Sequence, residues 1–155
     1  MAAPTAGLHL TPELIERLSE KGVGFTSITL HVGLGTFKPV ECETVTDHMM
    51  DEERYLLSRA TVDSIQRTRA EGGRVLAVGS TTVRTLEGVY AEHGELRPGS
   101  GRTGIFIYPP FSFNVVDAML TNFHLPRSTL LMMVSAFASR GLIGDAYQEA
   151  IEKDY

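Results

Sequence analysis

The sequence predicts an α/β fold in which helices alternate with mostly parallel strands. Two observations carry this. Arg74 to Val78 reads as a buried strand and runs straight into Gly79-Ser80-Thr81-Thr82, after which a helical pattern extends from about Thr82 to Glu92. Strand, tight glycine turn and helix start is the repeating unit of α/β architecture. Earlier in the chain, a short amphipathic helix is followed by the β-branched run Val23 to Val32, so helix and strand alternate there too.

The elements follow in order. Thr11 is placed to cap a helix, Pro12 fits its first position and Glu13 suits the positive end of its dipole. Leu14, Ile15 and Leu18 share one face and Gly22 is a terminator, which predicts a helix over about Pro12 to Lys21. The strand that follows ends at the flexible turn Gly33-Leu34-Gly35-Thr36. Beyond Pro39 the chain is polar until a short strand at Glu53 to Leu57. Ser58 caps a helix from about Arg59 to Glu71, with Val62 and Ile65 inward and Gly72-Gly73 as its stop. Gly94 to Gly104 reads as a turn-rich loop, Ile105 to Tyr108 as a strand ended by Pro109-Pro110, and Phe113 to Met119 as an extended piece. After the loop Thr121 to Pro126, Ser128 caps a helix to about Ala138 that is apolar nearly all round and so belongs in the core. Gly141 and Gly144 separate it from a last helix over about Asp145 to Lys153.

A chain of 155 residues, 43% apolar and 21% charged, fits a single folded unit and excludes wholesale disorder. The single cysteine, Cys42, excludes an intramolecular disulfide and an all-cysteine zinc site, and fits a reducing compartment such as the cytoplasm. Leu130 to Val134 is the longest apolar run, far too short for a bilayer, and no signal-peptide pattern opens the chain. With 14 Lys and Arg against 19 Asp and Glu the formal charge is −5, which argues against a stand-alone nucleic-acid binder.

Candidate chemistry gathers in four segments. Gly7-Leu8-His9 precedes a helix start, where a polar ligand could be met; a surface loop histidine is the plainer reading. His31 stands at a strand end before Gly33, Gly35 and Thr36. As a residue type histidine suits proton transfer near neutrality, although a histidine bonded to backbone accounts for it equally well. Gly79-Ser80-Thr81-Thr82-Val83-Arg84 offers hydroxyls and free N–H groups at a helix start with an arginine one turn in. That forms a cradle for phosphate or carboxylate, or simple capping with a solvent-facing arginine. Asn122 and His124 lie in a proline-bounded loop, and Asp117, shortly before, needs a partner if buried. The five histidines show no H-x-x-x-H or H-E-x-x-H spacing, so no metal is expected; G-x-S-x-G is absent as well.

Four stretches, A-A-P-T-A-G-L-H-L, L-H-V-G-L-G-T-F-K-P-V, V-G-S-T-T-V-R-T-L-E and V-V-D-A-M-L-T-N-F-H-L-P-R-S-T-L-L-M-M-V-S-A-F-A-S, closely resemble the S-adenosylmethionine:tRNA ribosyltransferase-isomerase family, in the same order, from Ala2 to Tyr155. The resemblance implies transfer of the ribosyl part of S-adenosylmethionine onto the aminomethyl group of a deazaguanine (preQ1) at the tRNA wobble position. Rearrangement gives epoxyqueuosine, and adenine and methionine leave. S-adenosylmethionine would then be a substrate, with no resident cofactor. On these positions His9, His31 and His124 are candidates for proton transfer, and Asp117 for holding a cationic amine. Gly7, Gly33, Gly35, Thr36, Ser80, Thr81, Arg84 and Asn122 are candidates for binding ribose, adenine or the methionine carboxylate.

Two local departures stand out. His48-Met49-Met50-Asp51-Glu52-Glu53 has Asp51 where the family's H-x-M-H-x-E carries its second histidine, and a carboxylate cannot donate as imidazolium does. Pro109-Pro110 stands where Pro-Gly is frequent. The family's members are roughly twice as long, with a small β-barrel domain inserted in a larger α/β domain. Residues 1–155 therefore correspond to the C-terminal part of that larger domain, without the barrel, and the acidic charge belongs to this part alone. The expected function is the transferase chemistry in a soluble setting without membrane contact. Its alternative is a non-catalytic remnant that folds and binds a nucleoside or a partner chain. A sheet short of strands would leave open edges and promote self-association.

Overall fold

The computed structural model describes residues 5–33, 40 and 42–155. In chain order they form a 3-10 turn (Thr5–His9), α1 (Pro12–Glu20), β1 (Thr29–His31), a second 3-10 turn (Val45–Asp47), β2 (Glu53–Leu57), α2 (Arg59–Ala70), β3 (Leu76–Val78), α3 (Ser80–His93), β4 (Gly99–Thr103), β5 (Ala118–Leu120), α4 (Thr129–Phe137) and α5 (Arg140–Glu152). The caps act as their chemistry dictates. The hydroxyls of Thr11, Ser58, Ser128 and Ser139 accept the N–H three residues on, at 3.1–3.2 Å, opening α1, α2, α4 and α5. The turn Gly33-Leu34-Gly35-Thr36 falls largely outside the described residues, as do Gly35 and Thr36 themselves.

The class is α/β, as the alternation predicts, but the strand pairing corrects the expectation of a mostly parallel sheet. β3 and β5 run parallel, with Leu76 opposite Ala118 and Val78 opposite Leu120. β1, β2 and β4 form a separate antiparallel sheet with β2 in the middle, where Tyr55 lies opposite both Leu30 and Gly101. A parallel neighbour needs a crossover, usually a helix. Between β1 and β2 the described residues carry only a 3-10 turn, so the chain folds back antiparallel. Among the described residues the strands close no barrel.

Three further elements differ from their sequence expectation. β4 forms inside the stretch read as a turn-rich loop, because Gly101 is where the Tyr55 ring packs: a Cβ there would stand 2.5 Å from the phenolic oxygen. Tertiary packing overrides low strand propensity. Ile105 to Tyr108, read as a strand, joins neither sheet, although Ile107 is buried. Gly141 and Gly144 lie within α5 instead of ahead of it. Both are exposed, so they weaken the helix by only about 1 kcal/mol each while the Ser139 cap starts it.

Helix α3 joins the two sheets and is buried from Val83 to Val89. Its Gly88 meets β4 so closely that a Cβ would overlap Thr103 Oγ1. Its Glu87 carboxylate is buried and accepts the backbone N–H groups of Asn114, Val115 and Val116 at 2.9–3.0 Å, which ties the segment before β5 to the helix. Around α3 the core gathers Leu57, Val62, Ala77, Leu86, Val115 and Met133. Helix α4 buries Thr129, Met133 and Val134 and leaves its other apolar residues half-buried, so it is less enclosed than its composition predicts.

Candidate functional site

β3 and β5 are parallel neighbours, so their carboxyl ends lie side by side, where β3 passes through Gly79 into α3 and β5 into the loop 121–128. In open α/β sheets this is where ligands bind. The Gly79 N–H donates to the Leu120 carbonyl at 2.8 Å, extending the pairing one step, and Gly79 then turns into α3 at φ +89°, a conformation that favours glycine. A cleft of about 680 Å³ opens at this point. Its walls are Gly79 to Thr82 and Arg84 from α3, Thr121 to Pro126 from the loop after β5, Leu30 and Val32 around β1, and Thr5 and Ala6 from the first 3-10 turn.

The hydroxyls at the start of α3 divide by use. Thr82 donates to the Val78 carbonyl and Thr85 to the Thr81 carbonyl, at 2.8 and 2.9 Å. Ser80 and Thr81 line the cleft. Gly79 offers no side-chain cap, so among the described residues the helix start keeps the partial positive charge of its dipole beside these hydroxyls, which favours an anion.

Arg84 also lines the cleft, but it is not the solvent-facing arginine of the simpler reading. It is buried, and its Nη1 stands 2.7 Å from the buried Glu53 carboxylate. Burial pulls the guanidinium pKa below its usual value, while the Glu53 charge opposes the shift. Glu53 also accepts the Gly33 N–H at 2.9 Å. One carboxylate thus fixes both the cleft arginine and the chain leaving β1.

In the loop after β5, the Asn122 amide is engaged at both ends. Thr5 Oγ1 donates to its Oδ1 at 3.1 Å, and its Nδ2 lies 3.2 Å from His9 Nε2. This holds the 3-10 turn of Gly7 and His9 against the cleft loop. His124 Nε2 lies 3.2 Å from Thr121 Oγ1, and burial lowers the imidazole pKa, which favours the neutral ring.

The structure therefore brings Ser80, Thr81, Arg84, Asn122 and His124 into one cleft, with His9 one hydrogen bond behind. His31 and Asp117 stand elsewhere. His31 is exposed at the end of β1 and does not line the cleft, although Leu30 and Val32 on either side do. The Asp117 carboxylate accepts the Val75 N–H at 2.8 Å, at the opposite end of the β3–β5 pair. Asp51, at the departure from the H-x-M-H-x-E pattern, is exposed and does not line the cleft. Glu53, the final Glu of that pattern, is not among the candidate residues read from the sequence, yet it sits on the inward face of a strand with Tyr55 and Leu57, and a carboxylate among apolar neighbours demands a partner. Among the described residues no group of three or more His, Cys, Asp or Glu is disposed to hold a metal. No helix there is long and apolar enough to cross a membrane.

A cleft at the carboxyl ends of parallel strands, walled largely by apolar side chains with a few polar groups and a helix start among them, has the position and make-up of a ligand site in an α/β protein. The chain belongs to the queuosine biosynthesis protein family, whose sequence profile matches residues 1–155. It is 55% identical over 155 residues to the S-adenosylmethionine:tRNA ribosyltransferase-isomerase of Thermotoga petrophila, covering 100% of this chain and 46% of that protein. To the enzyme of the same name from Natranaerobius thermophilus it is 56% identical, covering 100% of this chain and 45% of the relative. The crystal structure of the S-adenosylmethionine tRNA ribosyltransferase of Thermotoga maritima superposes with a TM-score of 0.79 at 48% identity, over 97% of this chain and 47% of that one. The chain thus spans about half the length of the curated relatives it matches.

Proposed function

We propose that this chain carries the S-adenosylmethionine cleft of a tRNA ribosyltransferase-isomerase. The reaction transfers and isomerises the ribosyl moiety of S-adenosylmethionine onto preQ1 in tRNA, giving epoxyqueuosine with release of adenine and methionine. The observation that carries this reading is the convergence of two separate motifs, Ser80-Thr81-Arg84 and Asn122-His124, on one cleft, in a chain of this family.

The reaction needs a base for a proton beside the sulfonium, and neutral His124 suits it: the imidazole takes that proton and becomes imidazolium. Ser80, Thr81 and the first N–H groups of α3 suit the methionine carboxylate. Asn122, already bonded to Thr5 and His9, orders the loop, and His9 behind it is the second proton-transfer candidate. Asp117 and His31, which stand outside the cleft, take no step in this scheme.

S-adenosylmethionine is a substrate in this reading, preQ1-bearing tRNA the partner and the cytoplasm the setting. The open edges of the β3–β5 pair favour self-association of the chain, read out by light scattering. The test is adenine release from S-adenosylmethionine in the presence of preQ1-tRNA, comparing this chain with the full-length Thermotoga maritima relative. Release by the full-length protein, falling at least about 100-fold when its counterpart of His124 becomes Ala, supports the assignment. An unchanged rate removes His124 from the chemistry.

A further inference from the structure

We propose that Tyr147, on α5 and outside the cleft, is a positioning residue for His124: its one phenolic oxygen holds both backbone polar groups of that residue and so sets where the imidazole stands. The oxygen accepts the His124 N–H at 2.6 Å and donates to the His124 carbonyl at 3.2 Å. The Tyr147 ring meets the neighbouring Phe123 edge-on, at 5.0 Å between centroids and 87° between planes.

Nothing else in the loop does this. Asn122 is held through its side chain, and Ser128 reaches the Leu125 carbonyl, so the backbone of His124 depends on Tyr147 alone among the described residues. Phe123 and Leu125 on either side are exposed, and the segment belongs to no strand. A backbone free of its ladder and flanked by exposed side chains has many conformations in water; a two-way hydrogen bond to a rigid ring selects one. Helix α5 buries no side chain completely; Ile143 packs against the core, and half-buried Tyr147 reaches the loop after β5. The inference rests on the proposed function for its catalytic meaning, but its geometry stands without it.

Amide hydrogen exchange in the unsubstituted chain gives a first test that needs no variant. The His124 amide is expected to be protected although it lies in a loop; exchange at the rate of an unstructured amide overturns the proposal. Tyr147→Phe then removes the oxygen and keeps the ring against Phe123. It is expected to speed His124 amide exchange about tenfold and to move the His124 imidazole titration, followed by NMR, upward towards the ordinary histidine value as solvent reaches the ring. A role confined to anchoring α5 would speed exchange in the helix and leave the His124 titration where it was, and that result overturns the proposal. Adenine release separates this inference from the reading beneath it. If the full-length relative releases none, the proposed function fails, and exchange and titration still decide Tyr147.

Discussion

His124 and Glu53 are two buried or half-buried ionisable groups with opposite kinds of neighbour, and they respond differently to change. Burial without a charged partner keeps His124 below the ordinary imidazole pKa of about 6.5, so the unfolded chain binds this proton more readily than the folded one. Its contribution to stability is complete above about pH 6.5 and is lost as the pH falls towards and through the lowered folded value. Urea midpoints measured between about pH 7 and pH 5 should therefore fall, and His124→Gln should lose less over the same interval. Equal slopes for the two proteins would contradict the assignment. Glu53, by contrast, is paired with Arg84 and with the Gly33 N–H. Glu53→Ala leaves a buried guanidinium without its carboxylate and should cost about 3–5 kcal/mol in chemical denaturation. A loss under 1 kcal/mol would mean that the pair is solvated in solution.

At the scale of elements, α3 carries the architecture. It starts at the cleft, crosses the antiparallel sheet at Gly88 and grips the segment before β5 through Glu87. Gly88→Ala should be destabilising by about 1–3 kcal/mol because its methyl group enters the space of Thr103, and Thr103→Ala should recover part of that loss in a double-mutant cycle. Strict additivity would show that helix and strand do not touch there. The helices were legible in the sequence because their signals are local: a capping hydroxyl, a periodic apolar face, a terminating glycine. Strand pairing was not, since direction and register depend on partners distant in the chain. β4 shows the extreme, a strand of Gly-Ser-Gly-Arg-Thr that exists because Tyr55 and α3 pack against its small residues. Tyr147 left no mark either: a tyrosine on a surface helix gives no hint that its hydroxyl reaches a loop 23 residues earlier.

For the whole molecule, the site was more legible than the sheet. Ser80, Thr81, Arg84, Asn122 and His124 were singled out by residue type and loop position, and they meet because β3 and β5 are parallel neighbours whose carboxyl ends coincide. His31 and Asp117 looked equally suitable in sequence and fell outside the cleft. One is exposed at the end of β1, outside the cleft lining, and the other is occupied by a backbone N–H at the far end of the sheet. The chain spans about half of its relatives, and it supplies the cleft walls named above. Ligand binding is therefore expected of this chain even where turnover requires more polypeptide. The most direct measurement is an NMR titration of the 155-residue chain with S-adenosylmethionine, following backbone amides. Saturable shifts concentrated at residues 79–84 and 121–128 are the predicted result. Saturable shifts centred elsewhere, or no shifts up to millimolar ligand, would contradict the assignment of this cleft.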